Sequence, residues 1–205
     1  MAGSAQAGWS ATLEGLFDGA PWVITYDLAA AADAAGRPVP ERWIEVFSQV
    51  ANLGAALGSQ LIPALSDHHD ASVARISHMP HLTAYAIAAA GEAGGPLAIS
   101  LAAGSFRDCT RVAAAAPDMV MSWCENNTEP VLAALDDVIE RLTAARTQLA
   151  TEGTAMDLAK TGQIARVRYE ARPAHRPIFR LRVGEGDWIN QLKLAESVGG
   201  QVDVF

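Results

Sequence analysis

The chain has 205 residues, half of them hydrophobic, and a formal net charge of −8 at pH 7. This length and composition allow a buried core and exclude a disordered chain, and the acidic balance argues against nucleic acid as the main partner. Two cysteines are too few for a disulfide framework and lack metal-ligand spacing, and no run of about 18 apolar residues predicts a membrane span. Alanine, the strongest helix former, is abundant. We therefore expect a mainly α, cytoplasmic protein with no metal, membrane or nucleic-acid partner.

The first predicted element is a short strand at residues 20–26, where β-branched and aromatic residues are concentrated. A single strand is not stable in water. Either it pairs with a later segment of this chain, or its sheet lies outside the chain.

Two long helices are predicted next. Apolar residues spaced three and four apart run from Val39 to Leu61, and Pro63 ends that run. A second helix is predicted from about Asp70 to Ala90, with a kink at Pro80 because proline lacks the backbone N–H group.

The middle of the chain predicts shorter helices and then a long one. A turn at residues 91–96 is followed by a short helix around residues 99–101 and a helix at about 107–116, which Pro117 ends. Thr128 is predicted to cap a helix that reaches about Leu149, with apolar residues at heptad-like spacing. That stripe predicts packing along another helix.

The pattern changes after Gly153. Residues 177–183 alternate with the period of a strand, Asp187 is predicted to cap a helix, and residues 201–205 form a last short strand. We expect this β-α-β tail to be a satellite unit.

Basic residues are concentrated between residues 160 and 182, where seven lysines and arginines accompany a single glutamate. Our first interpretation is a solvated strand face that offsets the acidic remainder of the chain. An anion or effector site is an alternative, and contact with nucleic acid is a remote third.

The chain contains no Gly-x-Gly-x-x-Gly fingerprint, phosphate loop, nucleophile elbow or zinc spacing. Two polar sets remain. Ser77 and His81 are four residues apart and share a helix face beside Pro80, while Asp108 and Arg111 share a face shortly after Gly104, whose helix start suits an anion. Arginine offers a permanent charge with bidentate geometry, so the sets together predict a pocket for a small dicarboxylate. A packed histidine and an ordinary helix salt bridge are the alternatives.

These same residues carry a resemblance to a known family. The segments Ile76–His81 (ISHMPH) and Gly104–Arg111 (GSFRDCTR) resemble the paired signature of prephenate dehydrogenase, and the spacing between them is similar too. Residues 16–25 resemble the last stretch of that family's nucleotide-binding domain, and His69-Asp70 matches its His-Asp pair. The resemblance covers roughly residues 1–150, and the tail from residue 156 is similar to an extension of some members.

The resemblance implies a helical dimerisation domain like the C-terminal fold of 6-phosphogluconate dehydrogenase, with a residual Rossmann strand at the N-terminus and a small β-α-β tail. The expected organisation is a remnant of the nucleotide-binding domain at 1–35, a helical substrate and dimerisation domain at 36–155 and an α/β extension at 156–205. The implied reaction is oxidative decarboxylation of prephenate to 4-hydroxyphenylpyruvate with NAD or NADP, in tyrosine biosynthesis. Relatives use arogenate.

The resemblance also implies roles for individual residues. Arg111 is expected to bind a substrate carboxylate with Asp108 as its orienting partner, and Ser77, His81 and Gly104 are expected to line the pocket. The chain is expected to act as a homodimer.

The sequence departs from the family pattern near its start and in one helix. The family's catalytic histidine would precede Met1, so we expect no catalytic base in this chain and a cofactor bound mainly by a missing N-terminal half. The family commonly has Glu where Ala5 stands and Ser where Ala7 stands. Val120 occupies the place of a family tryptophan that reaches the neighbouring subunit, and Trp123 is a candidate substitute.

Two other functions are open at this stage. One is a non-catalytic helical dimerisation or ligand-binding module derived from the same family. The other is an unrelated helical interaction protein, for which the basic segment is the only support.

Overall fold

A computed structural model describes residues 14–205, and the departures from the family pattern at Ala5 and Ala7 lie outside this range. The described chain is mainly helical with short parallel strands, as predicted. Its contacts divide it into two units, one formed by residues 1–69 and 174–205 and the other by residues 70–173. The predicted boundaries after residues 35 and 155 therefore differ from this division. The β-alternating tail belongs to the same unit as the N-terminal strand and is not a satellite.

The first unit, here called the sheet unit, contains two parallel strand pairs and three helices. Its elements are β1 (Pro21–Thr25), α1 (Asp27–Ala34), α2 (Glu41–Ala56), β2 (Gln60–Ala64), β3 (Ile178–Leu181), α10 (Trp188–Ser197) and β4 (Gln201–Val204). Strand β1 pairs with β2, placing Trp22 opposite Leu61, and β3 pairs with β4. The partner of the N-terminal strand thus lies within this chain.

The expected helix from Val39 to Leu61 is wrong in its last part. Helix α2 ends at Ala56, and Gly58 then adopts a φ of +78°, a left-handed conformation that glycine tolerates and a helix cannot continue through. The apolar residues that follow belong to β2, which includes the buried Pro63. A proline is tolerated there because, among the described residues, each sheet consists of two strands, so every strand is an edge strand.

A continuous core holds the sheet unit together. Tyr26, Leu192 and Ala195 are almost completely buried, and Trp188 packs against Trp43 with ring centroids 6.1 Å apart. The Tyr26 hydroxyl donates to Glu196, which also accepts from the backbone N–H of Leu65 at 2.9 Å. Burial and this carboxylate raise the pKa of Tyr26 well above its usual value. The Glu196 carboxylate of α10 therefore links Tyr26, which follows β1, to Leu65, which follows β2.

The second unit, here called the helical unit, begins within α3 (Ser66–Val73) and contains only helices. A π-helical segment (Ala74–His78) is followed by α4 (Met79–Glu92), α5 (Gly95–Ser100), α6 (Gly104–Thr110), a 3₁₀ turn (Arg111–Ala114), α7 (Pro117–Glu125), α8 (Thr128–Glu152) and α9 (Met156–Glu170). Its cluster of buried residues is small and consists of Ala74, Val131 and Ala134.

Several predicted boundaries in this unit are corrected by the structure. A π-helical segment directly precedes Pro80, which lies in the first turn of α4, where its missing N–H is tolerated. The helix expected at 107–116 begins at Gly104, and Pro117 starts α7 instead of ending the previous helix. Asn127, not Thr128, is the N-cap residue of α8. Helix α9 was not predicted, and only residues 178–181 of the basic segment form a strand.

No helix within residues 14–205 combines the length and the apolar character needed to cross a membrane.

Candidate functional site

The two polar sets lie on elements that pack against each other. Helix α4 carries His81 and contacts both α6 and the 3₁₀ turn, which carry Gly104, Asp108 and Arg111. Two interactions fix this packing. The Tyr85 hydroxyl donates to the backbone oxygen of Ala115 at 2.8 Å, and Gly91 leaves room for the Phe106 ring, which a side chain at position 91 would overlap. The helix that carries His81 is therefore in contact with the elements that carry the second set, while Ser77 lies on the π-helical segment directly before α4.

Ser77 and His81 are in direct contact, as their spacing predicts. The Nδ1 atom of His81 lies 2.8 Å from the backbone oxygen of Ser77, and both residues are half-buried. A carbonyl oxygen can only accept, so the Nδ1 atom of His81 carries a proton. Its Nε2 atom is consequently the ring nitrogen left to meet a ligand.

Asp108 and Arg111 do not form the predicted pair. The Asp108 carboxylate accepts instead from Nε of the adjacent Arg107 at 2.9 Å, and both side chains are exposed. Ion pairs between exposed side chains differ little in free energy, so spacing alone does not decide which arginine is chosen. Arg111 lies exposed at the first position of the 3₁₀ turn. Its guanidinium forms no ion pair with any residue from 14 to 205.

Gly104 is the first residue of α6 and is half-buried. A side chain at this position would meet only Arg107, at an ordinary contact distance of 3.6 Å. The anion-binding role of this helix start stays a prediction.

Sequence reasoning missed how buried polar residues support His81. His78 and Asn127 are both buried, and the Asn127 side-chain amide nitrogen lies 2.8 Å from the backbone oxygen of Asp70 and 3.3 Å from Nδ1 of His78. Trp123 contacts both histidine rings. Candidate signals in the sequence were the first histidine of the ISHMPH segment, His78, and the asparagine that precedes α8.

The π-helical segment is also tied to α8 by charge. Asp137 accepts from Arg75 at 2.9 Å and from Arg141 at 3.1 Å. The hydrogen bond from Arg75, with that from Arg141, lowers the pKa of Asp137 below its usual value. Through Arg75, these hydrogen bonds connect the π-helical segment, which contains Ser77 and ends at His78, to α8.

Part of the sheet edge at which a dinucleotide would bind is hydrogen-bonded within the chain. The carboxyl ends of β1 and β2 form the edge at which such cofactors bind in parallel sheets, but two backbone N–H groups there are already bonded within the chain, Leu65 to Glu196 and Ser66 to Asp27. The full sequence also lacks a glycine-rich fingerprint.

Comparison with known proteins supports the family resemblance that the two motifs carry. The family model described as "Prephenate dehydrogenase, dimerization domain" matches residues 65–161, a range that includes every predicted site residue. The chain belongs to the prephenate dehydrogenase family. Prephenate dehydrogenase of Bacillus subtilis is 29% identical over 155 residues, which are 74% of this chain and 38% of that protein. Cyclohexadienyl dehydrogenase of Zymomonas mobilis is 31% identical over 159 residues, again 74% of this chain and 49% of that protein.

A solved structure shows the same similarity over the whole chain. A Corynebacterium glutamicum protein described as a candidate prephenate dehydrogenase superposes with a TM-score of 0.89 and 41% identity, covering 100% of this chain and 62% of that one. The chain thus spans less than half of each curated relative and about three fifths of that structure.

Proposed function

We propose that this chain supplies the substrate-binding and dimer-forming part of an enzyme that oxidatively decarboxylates prephenate, or its relative arogenate, with NAD or NADP in tyrosine biosynthesis in the cytoplasm. The observation that supports the proposal is the packing of α4, which carries the end of the ISHMPH segment, against α6 and the 3₁₀ turn, which carry the GSFRDCTR segment. Both segments lie within the range that the family model matches.

The roles proposed for the residues follow from their chemistry. Arg111 binds a carboxylate of the substrate, because its exposed guanidinium forms no ion pair within residues 14–205 and offers two parallel N–H donors. Ser77 and Gly104 line the pocket, and His81 faces the ligand through Nε2. The Asp108 carboxylate accepts a hydrogen bond from Arg107. To orient Arg111, Asp108 exchanges Arg107 for Arg111 when substrate binds.

The chain's own contribution is binding and orientation. Oxidative decarboxylation removes a hydride from the ring carbon that bears the hydroxyl group, releases CO₂ and requires a base for the hydroxyl proton. Because the sequence lacks a glycine-rich fingerprint, we assign the described residues no part in the hydride step. No residue of this chain is proposed as the catalytic base.

Dimer formation through the helical unit is part of the same proposal. Helix α9 buries none of its fifteen residues within one chain. Met156, Ile164 and Val167 lie on one of its faces, each about half exposed. The neighbouring α8 exposes Ile139, Leu142 and Leu149 in the same way, and a cleft of about 730 Å³ lies between the two helices. A second copy of the chain packs against these exposed apolar side chains, because the matching family model is described as a dimerization domain.

Titration of prephenate into the purified chain tests the binding role, with Arg111→Ala and Arg107→Ala compared. The two arginines are four residues apart and both exposed, but only Arg107 is paired with Asp108. Loss of a charged hydrogen bond to the ligand costs about 1.5–3 kcal/mol, so we expect the Kd to rise about 10- to 150-fold for Arg111→Ala. Arg107→Ala should change the Kd by less than about 3-fold, with circular dichroism unchanged in both variants. Equal losses in the two variants, or no binding by the unmodified chain, would contradict the proposal.

A further inference from the structure

The orientation of the His81 ring is set by more than its own hydrogen bond. The contact between Nδ1 and the Ser77 oxygen fixes one edge of the ring. A single hydrogen bond leaves the ring free to pivot about it, and a half-buried imidazole is not held by burial alone. A second contact is therefore needed for Nε2 to keep one direction.

Trp123 provides that second contact. Its indole meets the His81 ring edge to face, with ring centroids 5.5 Å apart and an interplanar angle of 80°. The same indole stacks on His78 at 6.1 Å and 23°. Edge-to-face and offset-stacked rings are the two favoured arrangements of aromatic pairs. Trp123 thus lies between one histidine that faces the site and another that is buried.

The buried histidine is itself held in place. The Asn127 side chain donates through Nδ2 to the backbone oxygen of Asp70, so its orientation is fixed, and the same Nδ2 faces Nδ1 of His78. An amide NH₂ group only donates, so Nδ1 of His78 accepts and the proton of the neutral ring resides on Nε2. His78 and His81 therefore carry opposite tautomers on either side of one indole.

We propose that Trp123 is a positioning residue that holds the His81 imidazole with Nε2 directed to the bound substrate. The proposal deepens the function given above and rests on it for the ligand, but its statement about the ring concerns the chain alone. Trp123 therefore acts within its own subunit, through His81, and its support for His81 comes from His78 and Asn127.

Nitrogen-15 NMR of the histidine side chains tests the statement about the ring. The chain has five histidines, and a His81→Gln variant assigns the signals of His81. We expect the unmodified chain to show His81 as the Nδ1–H tautomer and His78 as the Nε2–H tautomer. Trp123→Met keeps an apolar side chain but removes the aromatic ring, and it should convert His81 to a mixture of tautomers. Trp123→Phe restores a ring and should restore the Nδ1–H signal.

Prephenate titration of the same variants tests the consequence for the site. An edge-to-face aromatic contact is worth enough to expect a Kd raised about 3- to 10-fold in Trp123→Met and changed by less than about 2-fold in Trp123→Phe. Met121→Ala serves as the matched control, because Met121 is half-buried on the same helix but two residues away and so on another face. It should leave both the His81 signals and the Kd unchanged.

The outcomes separate the two proposals. An unmodified chain that does not bind prephenate overturns the proposed function, while the NMR comparison still decides the role of Trp123. His81 signals that are the same in Trp123→Met as in the unmodified chain overturn that role. If Trp123→Met does not fold, nuclear Overhauser contacts between the Trp123 indole and the His81 ring in the unmodified chain decide. Their absence contradicts the proposal.

Discussion

The sheet unit and the helical unit bury their apolar residues to very different extents. In the sheet unit, tyrosine, tryptophan, phenylalanine and leucine side chains from strands and helices close into one core. In the helical unit the buried cluster consists of two alanines and a valine, and the long helices α8 and α9 keep half-exposed isoleucine, leucine and valine side chains. Exposed apolar surface of this kind is typical of interaction sites, which agrees with the proposed dimer. The candidate site lies in this second, less closed unit.

The largest effect that we expect is on dimer formation through the helical unit. Ile164 in α9 and Leu194 in α10 are each 53% exposed, so replacing either with glutamate changes the same amount of accessible apolar side chain. We expect Ile164→Glu to raise the dimer dissociation constant at least about 10-fold, or about 1.4 kcal/mol, because the charge would be buried between the two copies. Leu194→Glu should have little effect on it.

Sedimentation equilibrium of the two variants provides the measurement. Equal dissociation constants for both variants would show that α9 is not part of the interface. A monomeric unmodified chain would contradict the proposed dimer.

A smaller effect is expected in the sheet unit and depends on pH. Nδ1 of His68 lies 2.9 Å from Oε1 of Glu196, and this hydrogen bond together with the charge of the carboxylate raises the pKa of His68. Since the pKa is higher in the folded chain than in the unfolded chain, the stabilisation is fully present below the ordinary histidine pKa of about 6.5 and is lost as the pH rises through the folded value. The side chain is mostly exposed, so the effect is modest.

Thermal unfolding of His68→Gln measures this effect. The variant should melt below the unmodified chain at pH 5.5, and the two melting temperatures should converge by pH 8.5. A difference that is constant across this range, or that grows with pH, would show that the ion pair does not contribute.

Sequence predicted the mainly helical fold well where one local pattern decided the element. The strand at 20–26, the long helix after Thr128 and the β-α-β tail are present because period, caps and glycine stops agree there. The segment after Gly58 was mistaken for helix because Leu61 continues a helical spacing by coincidence, and only pairing with β1 makes it a strand. Strand pairing joins residues that are far apart along the chain, so a local sequence pattern does not predict it.

The candidate site was predictable in its parts but not in its connections. The elements that carry the two motifs are in contact, since α4 packs on α6. The partner of Asp108 was not predictable, since neighbouring arginines compete on an exposed helix at nearly equal free energy. The contacts of Trp123, His78 and Asn127 depend on three separate helical elements, so their spacing along the chain carries no pattern.

Hydrogen exchange with and without prephenate, followed peptide by peptide, tests the central claim most directly, because it reports on both units in one experiment. We expect prephenate to slow exchange in peptides covering residues 76–85 and 104–114 of the helical unit, and to leave those of α2 and β4 in the sheet unit unchanged. Protection confined to the sheet unit, or no protection at a concentration that saturates the prephenate titration, would contradict the assignment of the substrate site to the helical unit.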